Sequence, residues 1–326
     1  MKRHDLKPDV VLKDYWRNND RFADLFNQVF FNGEALLTAD KLDDRDTEDS
    51  AVIVEKGRVT SVSRARDLVK QYAEGMDLVL ISIENQMKIH YGMPVRTMLY
   101  EALDYTRQCK ELERQHRKNR ELDGADEFLS GICPGDKINA AVTLVIYYGE
   151  KPWDGPMCLA DMMDIPEPFK PLFDDHNIHL LSVRQAGKYH FRNKDNRDFF
   201  TLLDVLYNEG KVDIKRFREK YPNLDVYWET LAALGAATGT SELVDYALEN
   251  EGGRINMCTA LESLKKEGIQ EGIQEGIREG IQEGKIRGAV EILLEMGLAR
   301  EEICERIEKK YQLSKEEAMS YLKSDD

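Results

Sequence analysis

RARDLVKQYAEGMDLVLISIENQ, residues 64–86, holds two strand signals joined by a turn, and its reading decides the fold. MDLVLISI at 76–83 is a continuous apolar run of strand length. Runs of this kind belong to strands buried on both faces, as in α/β proteins. Tyr72-Ala73-Glu74-Gly75 supplies the turn before it. Upstream, residues 51–54 are apolar, Lys56-Gly57 marks another turn, and residues 58–69 alternate in part. AAVTLVIYY at 140–148 is a further buried strand ending at Gly149, and IHLLSV at 178–183 is a last short one. Between the strands, Pro94 suits a first helical turn, and no Gly or Pro interrupts 95–123. Residues 15–37 read as a helix, with Asp20 as its cap and Phe22, Leu25, Phe26, Val29 and Phe30 at helical spacing. The polar, acidic stretch 42–50 reads as a loop, and 195–250 as helical throughout. The expected fold is an α/β domain over residues 1–190, its sheet flanked by helices, followed by an all-helical C-terminal extension.

Within that extension, residues 191–265 form a helical part, 266–288 a repeat, and 289–326 a small helical end. The repeat reads EGIQ EGIQ EGIR EGIQ EGKI RG, with Gly268, Gly272, Gly276, Gly280, Gly284 and Gly288 four apart. Each glycine costs a helix about 0.5–1 kcal/mol relative to alanine, so an isolated helix would be weak. Glycines four apart also let another backbone come close, and Ile269, Ile273, Ile277 and Ile281 flank them. Two readings stand: a flexible acidic linker, or a helix that pairs two protomers into a homodimer.

The net charge of −15 runs against simple nucleic-acid coating, which draws its affinity from neutralised phosphates. Charge is unevenly spread, however. Glu267, Glu271, Glu275, Glu279 and Glu283 sit in the repeat, while Arg114, His116, Arg117, Lys118 and Arg120 make a basic stretch. Local fields decide whether a cleft attracts DNA, so Arg114, Arg117, Lys118 and Arg120 are candidate phosphate contacts, against the alternative of an ordinary solvated face. The five cysteines form no CxxC pair, and no Cys/His spacing resembles a zinc site. His90 and His116 have no partner at metal-ligand spacing, and neither is assigned a role. Free thiols, no signal-type leader and no apolar run of membrane-spanning length lead to the expectation of a cytoplasmic protein.

Asp67, Glu84 and Gln86 are the residues that can carry chemistry. Two strands joined by a short turn bring Asp67 opposite or diagonal to Glu84, and cross-strand Cβ atoms lie roughly 4.5–5.5 Å apart. Glu84 and Gln86, two apart, share a strand face. A carboxylate at the end of a buried apolar strand is costly unless it is paired or binds a metal. Asp67 and Glu84 together offer hard oxygen ligands suited to Mg²⁺, with Mn²⁺ or Ca²⁺ as substitutes. A cation there can activate water for attack on a phosphodiester. Gln86 can orient that water but brings no positive charge, which Lys88 is placed to supply. Taken singly, Glu84 can also be a solvated strand end, and Asp67 an ion-pair partner of Arg64 or Arg66. Arg96, Tyr100, Asp104 and Gln108 follow at four-residue spacing along one helix face and can brace such a site. Trp153, Tyr147 and Tyr148 fit core packing better than base stacking.

RARDLVK (64–70), ISIENQ (81–86) and MPVRTMLYEALDYTRQ (93–108) resemble the core of the Rpn/YhgA-like family of recombination-promoting nucleases, of the PD-(D/E)xK superfamily. VTLVIYYGEKPWDGP (142–156) is similar to the strand and loop that follow in that family, and DRFADLFNQVFF (20–31) to its first helix. EG-rich C-terminal repeats recur there too. The resemblance covers roughly the first half of the chain. It implies a restriction-endonuclease-like core, metal-dependent cleavage of DNA, and a link to recombination or to mobile-DNA processing or defence. It carries the catalytic carboxylates onto Asp67 and Glu84, and an ExQ variant of the motif onto Gln86, with the usual lysine missing. The motifs do not match a DDE transposase. The competing readings are a catalytically inactive DNA-binding accessory protein, and an assembly protein acting through its repeat.

Overall fold

A computed structural model describes residues 7–45, 48–55, 58–65, 68–72, 76–82, 88–149, 151–208 and 213–323; for 48–65 and 76–82 the description is of backbone pairing. The chain divides into two compact units, Met1–Ala260 and Leu261–Asp326. The first opens with α1 (Pro8–Arg17) and α2 (Asn19–Phe30). The single helix expected at 15–37 is thus the end of α1 and the whole of α2, residues 31–37 are not helical, and the cap is Asn18 rather than Asp20. The Asn18 side chain accepts from the backbone N–H groups of Asp20 and Arg21 at 3.0 and 3.1 Å, satisfying donors that the first helical turn leaves open. Phe22, Leu25 and Phe26 are buried along one face of α2, at the spacing the sequence shows.

Within the stretch 42–50, expected as loop, residues 42–44 form β1 (Leu42–Asp44) and 48–50 begin the next strand. β2 (Glu48–Glu55) and β3 (Arg58–Ala65) pair with each other as a separate antiparallel ribbon. β4 (Leu68–Tyr72) and β5 (Met76–Ser82) follow. After α3 (Met93–Asn119) and α4 (Ala125–Ser130) come β6 (Ala140–Tyr147) and β7 (His179–Ser182). The main sheet is ordered β1-β4-β5-β6-β7, antiparallel from β1 through β5 and parallel from β5 to β7. The β5-to-β6 step is a parallel crossover through α3, the connection that parallel neighbours need.

β6 shows why its sequence is apolar without alternation. Val145 and Tyr147 pack against Met93 at the start of α3. Tyr148, just past the strand, accepts a hydrogen bond from Trp16 Nε1 at 3.0 Å and meets Phe199 edge-on. Both faces are covered over residues 143–147, where every side chain is buried, so these positions do not alternate with polar ones. β4 is likewise two-sided. Val69 packs on Tyr100 of α3, whereas Lys70 is fully buried on the other side. The Lys70 ammonium donates to the Arg17 carbonyl at 2.8 Å and to Asn19 Oδ1 at 2.5 Å, and pairs with Asp44, which offsets its desolvation.

The rest of the first unit is α5 (Lys194–Asn208), α6 (Ile214–Lys220), β8 (Asp225–Tyr227), α7 (Trp228–Thr238), α8 (Ser241–Glu249) and β9 (Arg254–Asn256). The extension is therefore not all-helical: β8 and β9 pair as a short antiparallel ribbon. Three-residue strands leave almost no periodic signal, which is why the sequence reads as continuous helix. Arg21 ties these helices to the front of the chain, with ion pairs to Asp195 at 2.9 Å and Glu229 at 2.5 Å. Gly235 lies where α7 meets α8; a Cβ there would stand 2.8 Å from Leu243 Cβ and 2.9 Å from the Thr240 carbonyl oxygen. Gly235→Ala should cost about 1–3 kcal/mol through overpacking. An unchanged denaturant midpoint in the variant would show that the two helices yield freely.

α9 (Met257–Glu295) is a helix of 39 residues that runs through the whole tetrapeptide repeat. α10 (Arg300–Tyr311) and α11 (Lys315–Lys323) complete the second unit. Its core is Val290, Ile303, Cys304, Ile307, Ala318 and Leu322. Ser314 and Glu317 cap α11 reciprocally, Ser314 N–H donating to the Glu317 carboxylate at 2.8 Å and Glu317 N–H to the serine hydroxyl at 3.3 Å. No described helix is long and apolar enough to cross a membrane.

Candidate active site

Antiparallel pairing of β4 with β5, and parallel pairing of β5 with β6 and β7, gather four strand ends at one end of the sheet. These are the start of β4 at Leu68 and the ends of β5, β6 and β7 at Ser82, Tyr147 and Ser182. The start of α3 lies at the same end, because Met93 packs against Val145 and Tyr147. Asp67, Glu84 and Gln86 lie outside the described residues. In sequence, Asp67 immediately precedes β4, and Glu84 follows the last residue of β5 by two positions.

Several described side chains surround this end of the sheet. Lys88 is exposed. The Tyr91 hydroxyl donates to Asp154 Oδ1 at 3.1 Å, which holds its pKa above the ordinary tyrosine range. Burial pushes Tyr147 in the same direction, with the charge of Asp154 adding to it, and its hydroxyl has no hydrogen-bond partner among the described residues. Trp153 meets Tyr147 edge-on at 5.2 Å, so the aromatic group is core packing, as expected. Arg96 is half-buried; its Nε donates to the Tyr100 hydroxyl at 3.0 Å and its guanidinium lies over that ring. Tyr100 in turn rests on Val69 of β4. Arg96 and Tyr100 thus link α3 to the strand that Asp67 precedes.

The same helix face changes task along its length. Asp104 is fully buried and accepts from Arg107 and Gln108 at 2.7 and 2.8 Å. Gln108 clamps the backbone of Asn139, donating to its carbonyl at 3.1 Å and accepting from its N–H at 2.6 Å. Asn139 leads into β6, so Gln108 acts at the opposite end of the sheet. The basic stretch is farther still: α3 has 27 residues, and Arg114 stands roughly 30 Å along it from Met93 at 1.5 Å per residue. Arg114 pairs with Glu111, and Arg117 with Glu113 at 2.8 Å. Lys118 and Arg120 are exposed and make no ion pair among the described residues.

The far end of α3 also holds a cluster that the sequence spacing did not suggest. His116, set aside above for want of a partner, meets Cys133 and Asp136, and one ligand atom from each lies within 4.8 Å of the others. Separations of 17 and 20 residues carry no metal signature; only the return of the chain past α4 joins them. All five cysteines are free thiols, as expected. Neither a protein-family model, nor a curated protein, nor a solved structure matches the chain.

Proposed function

We propose that the chain is a divalent-metal-dependent DNA endonuclease with a restriction-endonuclease-like core, similar to the Rpn/YhgA-like nucleases. The observation that carries this reading is the strand arrangement around the motif. A helix, antiparallel strands, a crossover helix and a parallel strand follow in order, and the start of β4 adjoins the end of β5. The segments bearing Asp67 and Glu84 are joined to those two strand ends. Residue chemistry supports it as well: two carboxylates form a hard oxygen donor set that suits Mg²⁺ or Mn²⁺.

In this reading Asp67 and Glu84 hold the cation, and Gln86 orients the attacking water by hydrogen bonds. When bound, the cation activates water and offsets the charge that develops on the phosphoryl group. Lys88 supplies positive charge near the scissile phosphate. Arg96 and Tyr100 hold the start of α3 against β4 and so position the site. Lys118 and Arg120 are the better candidates for distant backbone contacts, since Arg114 and Arg117 are already paired with glutamates. The missing lysine favours a second reading, a DNA-binding accessory protein without catalysis.

Supercoiled plasmid incubated with the purified full chain separates the two. Mg²⁺ or Mn²⁺ should yield nicked or linear product, and a chelator should prevent it. Plasmid retarded in a gel but never cut, with Mg²⁺, Mn²⁺ or Ca²⁺, would establish the accessory reading instead. Cutting that a chelator leaves untouched would refute the metal-dependent mechanism.

A further inference from the structure

We propose that His116, Cys133 and Asp136 form a binding site for a borderline transition-metal ion, Zn²⁺ foremost, which clamps the end of α3 to the chain leading into β6. This site is separate from the Asp67/Glu84 motif and does not depend on the nuclease reading.

Three donors of the right kinds converge. His116 sits in the last turn of α3, and its Nε2 faces Asp136 Oδ2 at 2.8 Å. The chain then turns through α4 and returns. Gly131, at φ +74°, permits this: a Cβ there would fall 2.6 Å from Glu113 Cβ on α3. Cys133 comes back beside His116, and its backbone N–H donates to Asp136 Oδ2 at 2.7 Å. The three ligand atoms lie within 4.8 Å of one another. A tetrahedral Zn²⁺ with bonds of about 2.0–2.3 Å needs its ligands roughly 3.3–3.8 Å apart, so modest side-chain rotations suffice.

A fourth residue shows the arrangement to be more than proximity. The other ring nitrogen of His116, Nδ1, is hydrogen-bonded to Glu121 Oε2 at 2.7 Å. Metal-bound histidines typically donate their second N–H to a carboxylate in this way, which fixes the tautomer and aims the free nitrogen at the ion. Glu121 is therefore the positioning residue, and His116 Nε2 the ligating atom. The charge around the thiol also suits a cation. Burial, and then the acids Glu127, Asp136 and Glu121, hold Cys133 above the usual thiol range. Glu127 Oε2 and the Glu121 carbonyl oxygen are each 3.9 Å from the sulfur, and one of these or water would complete the coordination. On binding, the thiol proton and any proton on His116 Nε2 pass to solvent, and the Nδ1 proton stays on the imidazole, donated to Glu121. A nitrogen, a sulfur and an oxygen donor favour Zn²⁺ or Co²⁺ over Mg²⁺.

The test uses the metal-free full chain titrated with Co²⁺, reading the thiolate-to-cobalt charge-transfer absorption, followed by displacement with Zn²⁺. One equivalent should bind with that band, and Zn²⁺ should remove it. Cys133→Ser should abolish the band, while Cys109→Ser and Cys158→Ser keep it. Glu121→Gln should keep the spectrum but weaken binding about 10–100-fold, as loss of an outer hydrogen-bond partner does. Should Cys133→Ser misfold by circular dichroism, alkylation of the wild-type chain decides: Zn²⁺ should protect Cys133 selectively, read by peptide mass. A band that survives Cys133→Ser, or alkylation of Cys133 that Zn²⁺ leaves unchanged, overturns the site.

Discussion

Asp67→Ala and Glu84→Ala should each abolish metal-dependent DNA cleavage, with losses of orders of magnitude in rate. Each removes one of two carboxylates proposed to hold the cation that generates the nucleophile, and the remaining one cannot fix the ion alone. The expected defect is in the chemical step, so both variants should still retard DNA in a gel. Far-ultraviolet circular dichroism should match the wild type. Undiminished cutting by both would remove the site assignment. The cluster at His116 provides an internal contrast: Cys133→Ser should leave the Mg²⁺ dependence of cleavage unchanged, because it alters a different metal's ligands.

The second large effect concerns the repeat. Ile269, Ile273, Ile277 and Ile281 are each more than half exposed on α9, at 54, 57, 57 and 55%. Isoleucine is uncommon on a solvated helix, and here it recurs beside glycines that leave the backbone open. Four residues advance an α-helix by about 400°, so the stripe drifts about 40° per repeat and a partner must wind with it. The full chain should therefore dimerise through α9, in line with the homodimer expected from the sequence. Ile273→Lys combined with Ile277→Lys should make it monomeric without unfolding either compact unit, since both side chains are exposed. Pairing should depend on concentration, because glycine weakens the lone helix. Sedimentation of the full chain, the double variant and a chain ending at Leu264 would decide. A truncated chain that dimerises as well as the full one would reduce the repeat to a spacer. Under the proposed nuclease function, a dimer would also bring two of the proposed sites to a duplex, as cutting both strands in one event requires.

Much of the frame is written in local patterns. Apolar runs at 76–83 and 140–148 announced strands, and β5 and β6 are paired strands inside the main sheet, with residues 143–147 of β6 buried. Pro94 and the uninterrupted stretch after it announced α3. These signals are readable because burial on a strand or a helix face imposes a period on a single segment. Short elements gave no such signal: β1, β8 and β9 are three residues each, too few for any period, and pairing with a distant strand is what makes them strands. The break between α1 and α2 was hidden for a related reason. Asn18 turns the chain, but apolar residues continue on both sides of it, so the pattern ran straight through.

The same division holds for chemistry. Sequence by itself singled out Asp67, Glu84 and Gln86, because charged and polar residues beside a buried apolar strand stand out from their surroundings. It also marked Arg96, Tyr100 and Gln108 as one helix face, but not that Tyr100, bonded to Arg96, packs on β4 while Gln108 holds the approach to β6. Only tertiary structure brought His116 to Cys133 and Asp136. Metal ligands need to converge in space, and nothing in a linear chain records a convergence made by one glycine-permitted return of the backbone past the end of a helix.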